Sequence, residues 1–224
     1  MQKFERADFE VKEYVESENY GKFVLSPLER GFGTTIGNAL RRVLLSSLPG
    51  AAVFSIKVDG VYHEFTTIPG IREDVSMIIL QLKQLVMTIE DDDVYDLQIS
   101  AKGPCTITAG DIICPAQVEI LNKDLEIAHL EKDVTLEMEL KAKNGRGYVS
   151  ADINKQLNQG ASQGIGTVYT DSIYTPIEKV SYNVEPTRVG QNENFDKLIM
   201  NVYTNGSITP EEAMALSAKI LIEH

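Results

Sequence analysis

LERGFGTTIGNALRRVLLSS, residues 28–47, decides how the rest of the chain is read. Three glycines, Gly31, Gly33 and Gly37, follow the strand-like run KFVLSPL. They open a segment whose apolar positions Ile36, Leu40, Val43, Leu44 and Leu48 keep helical spacing until Pro49-Gly50 stops it. Strand, glycines, helix is also the order of a dinucleotide-binding turn, and Asp59 stands about where a ribose-binding carboxylate would. Three details oppose that reading. The spacing is G-x-G-x-x-x-G, one residue too long; Glu29 would repel a pyrophosphate; and hairpin signals, rather than alternating strands and helices, dominate downstream. No Gly-Lys-Ser or Gly-Lys-Thr makes it a Walker loop either. The competing reading is that the glycines permit a tight turn and close helix packing.

Outward from this stretch, residues 1–25 alternate through Phe9, Val11, Phe23, Val24 and Leu25 around an Asn19-Tyr20-Gly21 turn, which predicts two strands. Residues 51–69 alternate around Asp59-Gly60, a hairpin signal, and REDVSMIILQLKQLVM (72–87) has helical periodicity. Residues 94–170 read as short strands, with a second hairpin expected at Asn144-Gly145. NKQLNQGASQGIG (154–166) reads as a mobile surface loop. Strands resume at 177–184 and 197–203. The last helix then starts with Thr209 as N-cap, Pro210 at its first position and Glu212 closing a capping box. Ala213, Met214, Leu216, Ala218, Ile220 and Leu221 cover a wide arc of it, which predicts cover on more than one side. It reaches His224 without a C-cap residue, so the natural helix is expected to continue.

Composition narrows the function classes. Hydrophobic residues make up 43% of the 224, enough for a packed core, and no apolar run or leader-like segment is seen, so the expected location is the cytoplasm. A net charge of −12 argues against direct binding to nucleic acid. Cys105 and Cys114 have no neighbouring histidines and are expected to be buried, reduced thiols. The acidic run Glu90 to Asp93 reads as a solvated turn rather than a metal site, and His63, His129 and His224 are scattered without a nucleophile. No metal, cofactor or catalytic group is expected. Arg41-Arg42, beside the apolar stripe of the first helix in an acidic chain, suggests a face offered to a partner.

At this point longer motifs carry a resemblance. PLERGFGTTIGNALRRVLLSSLPG (27–50), KVDGVYHEF (57–65), GRGYV (145–149), DSIYTPIEKVSYNVEPTRVGQ (171–191), DKLIM (196–200) and TNGSITPEEA (204–213) resemble the bacterial RNA polymerase alpha subunit family, in collinear order along essentially the whole chain. The resemblance implies an α+β fold. Residues 1–49 and 176–224 would form a two-part dimerisation platform of helices packed on an antiparallel sheet, and 50–175 an inserted, mostly β domain. It implies a homodimer held by Phe32, Ile36, Leu40, Val43, Leu44, Met214, Ala218 and Leu221. Arg42, Leu45 and Lys83 would meet the beta subunit, and Arg188 and Lys197 the beta prime subunit. The function implied is a non-catalytic scaffold for a nucleotidyltransferase complex that acts at the nucleoid. The family's carboxy-terminal DNA-binding domain has no counterpart here, so no direct promoter contact is expected. Ser150 stands where many relatives have Pro, and the 154–166 loop lacks the acidic character that activators meet in some relatives. A nucleotide-binding enzyme using the 31–37 glycines is the alternative.

Overall fold

The computed structural model describes residues 7–131, 133–158, 166–190 and 192–224. In chain order its elements are β1 (Asp8–Val15), β2 (Tyr20–Glu29), α1 (Phe32–Ser46), β3 (Pro49–Val58), α2 (Val75–Leu82), β4 (Met87–Ile89), β5 (Tyr95–Lys102), β6 (Cys105–Thr108), β7 (Val118–Ile120), β8 (Glu126–Leu130), β9 (Thr135–Arg146), β10 (Tyr148–Val149), α3 (Ala151–Asn158), β11 (Thr167–Tyr169), β12 (Ser172–Ile173), β13 (Ile177–Val189), β14 (Asn192–Thr204) and α4 (Pro210–Glu223). Among the described residues every strand pair is antiparallel, which gives an α+β fold. The chain divides into two compact units, Met1–Leu48 with Thr175–His224, and Pro49–Tyr174.

The first unit is a four-stranded sheet, β1-β2-β14-β13, with α1 and α4 packed against it. Period-two alternation in the strands turns Phe23, Val180, Leu198, Met200 and Val202 into one core with Leu40, Leu44 and Leu48 of the α1 segment and Ala213 and Met214 of α4. Each fully buried leucine there contributes about 1.5–3 kcal/mol. The start of α4 follows its expected chemistry. Thr209 Oγ1 accepts the Glu212 N–H at 3.2 Å, and Pro210, which has no N–H to lose, occupies the first turn.

The second unit is built on the sheet β11-β3-β9-β5, with the ribbons β4-β7, β6-β8 and β10-β12 beside it. Leu97 and Ile99 of β5 and Leu136, Met138 and Leu140 of β9 alternate into a core that also takes Val75, Ile78, Ile79 and Leu82 of α2. Asp74 caps α2 by accepting the Met77 N–H at 2.7 Å.

Several local expectations fail here. Asp59-Gly60 turns the chain, but no strand returns from it, because β3 has its two edges filled by β9 and β11. Asn144-Gly145 is no hairpin; both residues lie inside β9, where the Asn144 amide donates to the carbonyls of Ile89 and Asp91 at 3.0 and 2.6 Å. The helix read over 72–87 is confined to Val75–Leu82, and Met87 already belongs to β4. Residues 154–158 are helical rather than loop, with Asn154 buried and donating to the Thr170 carbonyl at 2.8 Å; residues 159–165 lie outside the described residues. Cys105 is exposed and Cys114 half-buried, since the edge ribbon β6-β8 leaves the first thiol on the surface.

Candidate functional site

The glycines of the opening stretch serve α1. Gly31 precedes the helix at φ 91°, a left-handed conformation that is easy only for glycine. A helix start is a natural anion site, because its first N–H groups have no partner within the helix. In this chain that site is filled from within: Asp196 of β14 accepts the Gly31 N–H at 2.8 Å and the Gly33 N–H at 3.3 Å with one carboxylate oxygen. A Cβ at Gly33 would stand 2.7 Å from Val184 Cγ1 and 3.1 Å from the Asp196 carboxylate. The motif therefore shapes a helix start around an internal carboxylate. The nucleotide reading is overturned, since a phosphate would meet Asp196 in its place and the sheets are antiparallel rather than doubly wound.

Beyond the glycines, α1 and α4 flank an open apolar cleft of about 510 Å³. Ile36 and Leu40 line it from α1; Met214, Ala215, Ala218, Leu221 and Ile222, with Glu211 as the charged member, line it from α4; Phe9, Phe23, Leu25, Leu198 and Met200 line it from the strands. Phe9 stacks on Phe23 with ring centroids 5.6 Å apart. Ile222 is 85% exposed at the rim, and Phe32, 50% exposed, stands at the start of α1. Of the residues read as dimer contacts, Ile36, Leu40, Met214, Ala218 and Leu221 thus share one surface. Leu44 is 0% exposed because α1 turns it into the sheet core, and it does not line the cleft. Val43 is half-buried on α1 and does not line the cleft. The strand-borne wall and Ile222 were not singled out from sequence. Phe9 and Ile222 carried a local signal as apolar residues at strand and helix ends, whereas nothing local separates Leu198 and Met200 from ordinary strand core.

The two arginines of α1 differ. Arg41 Nε donates to the Val180 carbonyl at 3.3 Å and is tied to the sheet. The exposed Arg42 guanidinium has no hydrogen-bond or ion-pair partner among the described residues, and Leu45 stands half-buried one turn further on. Lys83 belongs to the other unit, just past α2, where it pairs with Asp171 at 3.0 Å. A pocket of about 270 Å³ next to it is lined by Phe65, Leu80, Tyr169 and Asp171. The Asp171 carboxyl is held below its ordinary value, first by the Ala151 N–H at 2.9 Å and then by Lys83, against the effect of burial. Phe65, 78% exposed, ends one of the resembling motifs yet was not read as a candidate. Lys197 is paired with Glu185 at 3.0 Å, and Arg188 is exposed near the end of β13.

Elsewhere in the second unit, Glu73 accepts the His129 N–H and pairs with its imidazole Nδ1, both at 2.7 Å. Burial alone would raise the Glu73 carboxyl; the bonds from His129 outweigh it and hold the group below its ordinary value. The acidic run Glu90 to Asp93 is an exposed turn, and its Asp91 accepts from the Tyr95 hydroxyl at 2.6 Å, the main cause of a phenol pKa pushed up to about 12. No helix among the described residues is long and apolar enough to cross a membrane.

Comparison with known proteins agrees with the motifs. Residues 56–175 match the family described as the RNA polymerase Rpb3/RpoA insert domain. Over all 224 residues the chain is 53% identical to the DNA-directed RNA polymerase subunit alpha of Alkaliphilus metalliredigens, 54% to that of Desulfitobacterium hafniense and 52% to that of Clostridium kluyveri, covering 70% of each relative. An insert-family match over more than half the chain, together with relatives of this identity across its full length, leads to one conclusion: this chain belongs to the family of bacterial DNA-directed RNA polymerase alpha subunits.

Proposed function

We propose that the chain is a non-catalytic assembly scaffold in transcription, forming a homodimer and then recruiting the beta and beta prime subunits of RNA polymerase in the cytoplasm. In this reading the first unit is the dimerisation platform and the second an insert that adds docking surface. The observation that carries it is the apolar cleft between α1 and α4. A groove of this composition in an otherwise acidic chain is costly to leave in water and fits a second apolar surface. A twofold contact brings the same face of both copies together, and obligate homodimers bury roughly 2,000 Å² or more through such faces. Ile222, exposed on the cleft wall, and Phe32, exposed at the start of α1, would enlarge that contact.

Arg42 is the proposed anchor for beta, with Leu45 on the same helix and Lys83 as the contribution of the insert. A planar guanidinium without a partner among the described residues suits a carboxylate on another chain. Arg188 and Lys197 are proposed for beta prime; Lys197 would exchange Glu185 for a partner or present the ion pair whole. Alpha serves the polymerase by geometry in this account, and the nucleotidyl transfer belongs to the subunits it gathers.

The test is co-purification with a tagged bacterial beta subunit, with sedimentation run in parallel. Arg42→Ala is expected to stay dimeric and to change stability by about 0.5 kcal/mol or less, as exposed substitutions do. Its affinity for beta should fall by about 2 kcal/mol or more, the scale of a hot-spot arginine. Equal loss of dimer and beta binding would defeat the assignment.

A further inference from the structure

From the contact between β14 and α1, we infer that Asp196 is a positioning residue for assembly: it fixes the first turn of α1, and through it the dimer cleft. The inference rests on the reading of α1 as the dimer helix. α1 begins without the usual means of stabilising a helix start. Its N-cap is Gly31, which has no side chain to accept a bond, and its first turn contains no acidic residue. The positive end of the helix is instead served by a carboxylate 165 positions away in sequence. Thr35 Oγ1, which donates to the Gly31 carbonyl at 3.2 Å, closes the same turn from the other side.

Three features tie this contact to the cleft. Phe32 lies between the two glycines whose N–H groups Asp196 accepts, so the contact holds the backbone that carries this exposed apolar side chain. Ile36, one turn on, lines the cleft, as does Leu198, two residues past Asp196 on β14. The pairing register between β14 and β2 shifts between Asp196 and Leu198, so the strand is irregular where it hands one side chain to the helix start and the next inward one to the core. Gly33 is the sequence counterpart of this arrangement, because any Cβ there would crowd the Asp196 carboxylate and Val184.

At Gly37 a Cβ would crowd Tyr182 and Leu198, whereas the Asp196 contact gives Gly31 and Gly33 their purpose. They resemble a phosphate-binding loop because they present backbone N–H groups to an anion, and the anion is a side chain of the same unit. A free phosphate or a partner's carboxylate is therefore not the ligand; the arrangement holds a docking helix in place.

Asp196→Ala and Asp196→Asn in the dimeric protein test this by amide exchange and sedimentation equilibrium. Loss of a cap shifts the local equilibrium by about fivefold, so exchange at Gly31, Gly33 and their neighbours to Thr35 should accelerate roughly fivefold in the alanine variant while β9 amides stay unchanged. A contact that enters a twofold dimer twice should weaken the dimer by roughly 5- to 25-fold, and Asn, which keeps an acceptor oxygen, should recover most of the loss. Unchanged exchange at residues 31–35 would overturn the inference, as would faster exchange with an unaltered dimer constant. A wild-type chain that is monomeric would instead defeat the dimer reading, and the exchange measurement would still report whether Asp196 holds the helix start.

Discussion

The two units bury their apolar residues in opposite ways. In the insert, α2 and the ribbons close over the sheet, and Leu97, Leu140 and Ala142 lose all contact with water. In the platform, α1 and α4 cover the same kind of sheet but leave a cleft with Phe9, Leu221 and Ile222 at its edges. The first arrangement closes its core among the described residues, while the second leaves apolar surface open, which the proposed dimer would cover with a second copy. On the proposed dimer reading, the difference teaches that a core and an interface can use the same residue types, and that what separates them is whether the chain supplies the last layer.

The comparison breaks most visibly at Ala218. This residue lines the cleft from α4 and is only half-buried, so a long side chain there can reach solvent in a monomer. In a twofold dimer Ala218→Arg would place an unpaired charge in the contact twice, at about 3–5 kcal/mol each. Sedimentation velocity should show a folded monomer at concentrations where the wild type is dimeric. A variant that remains dimeric would mean that the cleft is not the contact.

The counterpart in the insert is Leu97→Ala. Leu97 pairs with Leu140 across β5 and β9 and is fully buried, so a cavity there should cost about 2–5 kcal/mol in urea unfolding. The expected dimer constant is unchanged below the unfolding transition. Loss of dimerisation by the folded variant would erase the distinction between the units.

How much of this could be read from the sequence follows the distance between partners. The course of α1, the Thr209 cap and the alternation of β13 and β14 depend on neighbours a few residues apart, and they were legible. The family motifs made the family and the α+β class legible as well. The edges of β3 were not, because Pro49 pairs with Arg146 and Thr167 with Lys57, and no local window reports that these partners displace an Asp-Gly hairpin. Asp196 escaped for the same reason. The glycines announced a helix start that needs an anion, but nothing near them in sequence showed that β14 provides it. Glu73 and His129 likewise meet only once α2 and β8 are assembled.

The smallest expected effect concerns Asp171, which does for α3 what Asp196 does for α1. Both aspartates follow or lie in strands and accept backbone N–H groups at a helix start, so the comparison between units can be sharpened at matching contacts. Asp171 takes the Ala151 N–H at 2.9 Å and also the Lys83 ammonium at 3.0 Å. Its carboxyl is held below the ordinary 3.8, so the folded state keeps the charged form to lower pH than the unfolded chain does. The unfolded chain then takes up protons first on acidification. The stabilisation is complete above the unfolded pKa and disappears as pH falls through the folded value. Asp171→Asn keeps an acceptor for Ala151 but loses the ion pair, which is partly exposed, so the loss at neutral pH should be about 1 kcal/mol or less. Urea titrations from neutral pH to below the ordinary carboxyl value should show wild type and variant converging on the acid side. A gap that stays constant would mean that Asp171 acts through geometry alone, and that its charge contributes nothing to holding Lys83 beside α3.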